Sequence, residues 1–175
     1  WHVPADDEFK TLEMFLGMSE SEANSTGWRG TNEGSKLASN ADLWNDGSLE
    51  SNGEFGTSGF NGLPAGYRND DIGLYGSMGN AGYFWSSTEF SSGSAWLRRL
   101  GNNFSEVQRT SKGKQRGFSV RCLEDEITTG FQPQTKEELQ TAVDMWVDDN
   151  ATALSTYGEI NDWDVALIAD MSFLF

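Results

Sequence analysis

Four short runs late in the chain decide the fold class: Tyr83-Phe84-Trp85-Ser86-Ser87-Thr88, Ala95-Trp96-Leu97-Arg98-Arg99-Leu100, Val107-Gln108-Arg109 and Phe118-Ser119-Val120-Arg121-Cys122. They read as strands of a small meander. In the last run Phe118, Val120 and Cys122 alternate with Ser119 and Arg121, the period of two of a half-buried antiparallel strand. Cys122 is therefore expected on the buried face with Phe118 and Val120.

Working upstream, Pro4-Ala5-Asp6-Asp7-Glu8 places a proline and acids in a first helical turn, ahead of Phe9, Leu12 and Leu16 at helical spacing, with Gly17 to end the helix. A second short helix is expected over residues 19–23, closing near Gly27 and followed by a turn over 30–34. From Ser39 to Gly82 the chain is dominated by Gly, Asn, Asp and Ser, with apolar islands such as Phe60, Leu63 and Tyr67, and reads as ordered loop. Early helices, long loops and a late antiparallel sheet together make an α+β domain whose loops carry specificity.

Downstream the composition changes. After Glu124-Asp125-Glu126, Thr135 with Glu138 forms a capping-box arrangement, and Leu139, Val143, Trp146 and Val147 continue as an apolar stripe ending around Asn150. The tail alternates Trp163, Val165 and Leu167 or Ile168 with polar neighbours. The expected organisation is a first domain over 1–126, a linker over 127–134 and a second region over 135–175. An apolar ending at Met171-Ser172-Phe173-Leu174-Phe175 and the lack of an initiator Met read as an excerpt of a longer protein.

The 175 residues carry 12 Lys and Arg against 27 Asp and Glu, a net charge of -15 that repels phosphate backbones and anionic membrane surfaces. Nucleic acid is not an expected partner. No apolar run approaches the roughly 18 to 20 residues of a membrane span, so direct membrane insertion is not expected either. The single His2 and single Cys122 cannot furnish a Cys/His zinc site or an internal disulfide, and a serine triad would have to use a histidine at the chain start.

The order and spacing of several motifs resemble the Fibrobacter succinogenes major paralogous domain, found in surface and secreted proteins of Fibrobacter and Bacteroidetes-type bacteria. The residues are Trp1-His2-Val3-Pro4 with Phe9 and Leu12, then 27–37, Gly59-Phe60 and 63–68, then 83–89, Ala95-Trp96 and Gly117-Phe118-Ser119-Val120-Arg121-Cys122. The resemblance covers about 120 residues, and since the family pattern starts further upstream it implies a chain cut at its N-terminus. More distantly, the Trp-x-x-Pro start and final strand look like the C-type-lectin-like fold shared with formylglycine-generating enzymes. One cysteine cannot supply the pair on which their oxidase chemistry depends, so the likeness concerns fold and not activity. The second region looks like the start of a BspA-like bacterial surface-protein repeat of Trp-Asp-Val-Ser type, at 160–165 and 170–175. Ala166 and Ala169 stand where Ser and Thr are usual, and a solenoid generally needs about three such units.

Candidate sites follow from this framework. Trp44-Asn45-Asp46 is similar to the calcium motif of true C-type lectins but precedes the sheet; Asn45, Asp46, Asp70 and Asp71 are therefore weak calcium candidates, set against a Trp anchor with an Asn-Asp-Gly turn and against solvated acids. No other cofactor is implied. Seven cations (Arg98, Arg99, Arg109, Lys112, Lys114, Arg116 and Arg121) fall late in an acidic chain. They form either a binding surface or ion pairs with acids elsewhere. The expected ligand-contacting residues are Trp96, Leu97, Arg99, Asn103, Phe104, Gln108, Thr110, Lys112 and Arg116.

The resulting expectation is a non-enzymatic recognition or adhesion module, extracellular or on the cell surface. Its partners would be a cell-surface glycan or protein, and neighbouring domains of the same chain. The alternatives are a self-assembling building block of a surface layer or filament, and a polysaccharide hydrolase working through two carboxylates.

Overall fold

The structure, a computed structural model, describes residues 1–125 and 130–172. It comprises two compact units, Trp1–Glu124 and Asp125–Phe175, and the first is α+β with a small antiparallel sheet. That sheet has the order β1-β6-β5-β4, from Gly27–Arg29 (β1), Ala81–Ser91 (β4), Ser94–Gly101 (β5) and Phe104–Gly113 (β6). Tyr67–Arg68 (β2) and Tyr75–Gly76 (β3) form a separate hairpin.

Helix α1 (Asp6–Phe15) begins with three acids, and Leu16 caps it before Gly17 turns the chain at positive φ. Its inward residues are Asp6, Phe9 and Glu13, at i, i+3 and i+7. The apolar spacing thus located the helix, while two of its acids turn out to face the core. Helix α2 (Glu20–Asn24) starts at Ser19, whose hydroxyl accepts from the Glu22 amide while Glu22 reaches back to the Ser19 amide.

The segment expected as a turn over 30–34 instead opens helix α3 (Glu33–Leu37). Glu33 is buried and accepts hydrogen bonds from the Thr31 and Asn32 amides at 2.7 and 3.1 Å. Gly34 lets α3 approach β6 closely, since a Cβ there would collide with the Glu106 carbonyl. The inner side of the sheet packs on these helices through Phe9, Leu37, Phe84, Leu100 and Val107, and the long loop contributes Trp44 and Leu49, with Phe55 and Phe60 against them.

The fourth expected strand is a correction. Residues 118–122 form no ladder; Gly117, Ser119 and Leu123 instead make isolated bridges to Arg68, Phe84 and His2. Each bridge borrows a different partner, so the segment has no continuous buried face. Val120 is 54% exposed and Cys122 is exposed, contrary to the alternation in the sequence.

In the second unit, Thr135 caps α4 (Lys136–Asp148) by accepting from the Glu138 amide, and Asp149 caps α5 (Asn150–Tyr157), which the sequence did not announce. Leu139 and Val143 pack against Trp163, Val165 and Ile168. Val147, expected on the apolar stripe, is 75% exposed, and Leu167 is exposed too. Residue 126 of the expected first domain, 127–129 of the expected linker and 173–175 of the expected repeat lie outside the described residues. Residues 130–134 are integrated into this unit: Pro133 is fully buried, Phe131 packs on Tyr157 and Trp163, and its carbonyl accepts from the Asp164 amide at 3.1 Å.

Candidate functional site

Alternation along β5 and β6 splits the late cations between two faces. Arg98 and Arg109 are register partners on the inner face. Arg98 binds Asp6 Oδ1 at 2.7 Å and Glu13 Oε1 at 2.6 Å, while Arg109 binds Asp6 Oδ2 at 2.6 Å. Arg29, brought in by β1, pairs with Glu13 at 2.7 Å. Five buried charged side chains therefore tie α1 to three strands. Burial acts to raise the Asp6 pKa, but hydrogen bonds and charge from Arg109 and Arg98 win and hold it down at about 2. For Arg98 and Arg109 the structural alternative holds: they serve the core and offer nothing to a ligand. Arg109 also lies 3.8 Å from the Trp96 ring centroid, which places Trp96 with the inner network and away from the opposite face.

The outer face carries a different row. Register pairing aligns Trp28, Gln108, Arg99 and Tyr83 across all four strands. The Arg99 guanidinium lies 5.3 Å from the Trp28 ring and 5.4 Å from the Tyr83 ring, with Gln108 Oε1 at 3.4 Å. The next residues along β6 on this face are Thr110 and Lys112. These side chains floor a cleft of about 320 Å3, walled by Tyr67 and Ser77 from the β2–β3 hairpin and by Arg116 and Phe118 from the segment after β6. Phe118 stacks on Tyr83 at 4.9 Å, and Tyr67 meets Tyr83 edge-on at 5.7 Å.

Five of the nine expected contact residues, Arg99, Gln108, Thr110, Lys112 and Arg116, thus converge on one cleft. The others do not join its lining. Leu97 sits between Trp85 and Thr110 in the register and is fully buried, so it has no surface to offer. Phe104 stacks on Trp28 at 4.0 Å, one ring beyond Arg99, and Asn103 is exposed in the β5–β6 turn. The expected contacts left out Tyr83 on β4, and also Tyr67, Ser77 and Phe118, which arrive from separate segments. The only signal was that Tyr67 and Phe118 lie inside the motif blocks at 63–68 and 117–122.

The lining holds three cations and no carboxylate. Arg116 is offset from outside the lining by Asp70 at 3.2 Å, and Lys114, next to the cleft in sequence, pairs with Glu89. Neither Arg99 nor Lys112 forms an ion pair with a described residue, and Arg99 Nε is buried without a partner among them.

The calcium candidates are dispersed into other roles. The Asn45 amide donates to Asn80 Oδ1 at 2.9 Å, the Asp46 carbonyl accepts from the Asn102 side chain, and Asp70 serves Arg116. Asn69 Oδ1 accepts from the Asp71 amide, closing a local turn. Trp44 is a buried anchor whose indole donates to the Ser39 carbonyl. Among the described residues, no group of three His, Cys, Asp or Glu side chains gathers as metal ligands do.

The family described as the Fibrobacter succinogenes major domain matches residues 1–124. No curated protein and no solved structure matches the chain.

Proposed function

The chain belongs to the Fibrobacter succinogenes major domain family, and from that premise we propose that it is a recognition module whose first unit binds a ligand in the outer-face cleft. The observation that carries this reading is the convergence of Arg99, Gln108, Thr110, Lys112 and Arg116 with Tyr67 and Tyr83 in one concave surface. A concave site with aromatic walls and a few convergent polar groups is the usual form of a small-ligand site, and about 320 Å3 falls at the small end of that class. The rigid inner face, locked by the Asp6 and Glu13 ion pairs, holds the floor in place.

The reading places the module in a longer, extracellular or cell-surface adhesion protein, with a C-type-lectin-like first unit and a second unit that begins a BspA-like repeat array. The reading gives this cleft no part in two-carboxylate hydrolysis, which needs a pair of Asp or Glu side chains that its lining does not hold. The test is binding of the 175-residue chain to a broad glycan and cell-surface panel, with and without calcium, compared with a Lys112→Ala variant. Saturable binding that the variant loses supports the reading; equal binding by both overturns the placement in the cleft.

Assembly into a layer or filament is a second reading, favoured by exposed Ile72, Leu74, Tyr75 and Met78 on and around the β2–β3 hairpin. Sedimentation would decide it: concentration-dependent oligomers abolished by Leu74→Ser and Tyr75→Ser support assembly, and a monomer at all concentrations rejects it.

A further inference from the structure

Building on the recognition reading, we propose that the cleft takes an anionic sugar, one unit of an acidic polysaccharide whose carboxylate or sulfate ester meets Arg99 and Lys112. In a chain of net charge -15, a lining of three cations without a carboxylate is a local reversal of sign. The other late cations are engaged within the protein: Arg98, Arg109, Lys114 and Arg116 each have an acid, and Arg121 donates to the Phe60 carbonyl. Arg99 and Lys112 are left for a partner from outside.

Arg99 is held between the Trp28 and Tyr83 rings, so its planar fork is oriented before any ligand arrives. A preoriented guanidinium suits a bidentate oxyanion.

The uncharged part of the lining separates a sugar from an acidic peptide. Gln108, Thr110 and Ser77 supply donors and acceptors beside the cations, and Tyr67 and Tyr83 supply aromatic surface. A pyranose ring fills that mixture, offering hydroxyls on its edge and C–H groups on its face. An aspartate or glutamate side chain offers the carboxylate alone.

The experiment is calorimetric titration of the 175-residue chain with oligogalacturonate and alginate oligomers, with carrageenan oligomers that carry sulfate only, with carboxyl-reduced and desulfated counterparts, and with hexaglutamate. Charged sugars should bind at least about tenfold more tightly than their neutral counterparts, the scale of one charge-assisted hydrogen bond. The uronate and sulfate arms identify which anion is preferred. Lys112→Gln should weaken binding about tenfold without moving the unfolding midpoint, and Lys112→Arg should restore it. Neutral sugars bound as tightly as charged ones, or a Lys112→Gln variant that binds normally, would overturn the anionic assignment while leaving recognition standing. Hexaglutamate bound as tightly as the best sugar would assign the cleft to an acidic peptide. No saturable binding here or on the cell-surface panel would overturn both readings.

Discussion

Arg98 and Arg99 are adjacent on one strand, yet they meet opposite environments. Arg98 is buried between Asp6 and Glu13 and has Phe9 against its guanidinium at 5.1 Å. Arg99 faces the open cleft between Trp28 and Tyr83, with the Gln108 amide oxygen beside it. The same residue type thus serves cohesion on one side of the sheet and is left available on the other. The difference lies in what packs above each face: helix α1 brings two acids to the inner side, whereas the hairpin and the segment after β6 bring aromatic and polar groups to the outer side.

Breaking the inner network should have the largest effect. Asp6→Ala leaves Arg98 and Arg109 buried without their shared carboxylate, and removing one partner of a buried pair costs about 3–5 kcal/mol. Urea unfolding should show that loss as a lower midpoint; a change under about 1 kcal/mol would mean that the network does not hold the sheet.

Acid probes the same contact without mutation. Because the folded Asp6 pKa lies at about 2, below its unfolded value of about 3.9, its contribution is complete above the unfolded value. It disappears as pH falls through the folded one. Stability measured from pH 5 to pH 2 should drop by about 2 kcal/mol from this group, and Asp6→Asn should remove that component of the slope.

Gly34→Ala tests the seat of α3 on β6. Overpacking against the Glu106 carbonyl should cost about 1–3 kcal/mol by thermal or urea unfolding, whereas a neutral result would show that the helix can shift.

On the outer face, Lys112→Ala should change stability by less than about 0.5 kcal/mol while weakening whatever the cleft binds about tenfold. An equal loss of stability on both faces would erase the contrast between them. The smallest effect on the fold concerns Cys122, which should react with a thiol reagent in the native state nearly as fast as in denaturant. Marked native-state protection would contradict its exposure.

Much of this was readable from local pattern. The period of α1, the short helix after Ser19, the cap at Thr135 and the three long strands depend on neighbours within a few residues, where propensity and spacing act directly. The readings that failed depended on distant partners. β1 is three residues long and exists because β6, some eighty positions later, pairs with it. The segment 118–122 has the alternation of a strand but finds only isolated bridges, so Cys122 is left outside. Acids and arginines separated by about a hundred residues have no local signature of pairing.

The sequence by itself determined the α+β class, the acidic charge, the family motifs over the first unit and the neighbourhood in which a candidate site would fall. Tertiary structure alone decided which late cations are structural and which are open, and joined Tyr67, Ser77 and Phe118 to Arg99 in one cleft. The physical reason is that strand alternation tells which residues share a face, but only the packing of distant elements decides which face is covered and by what charge.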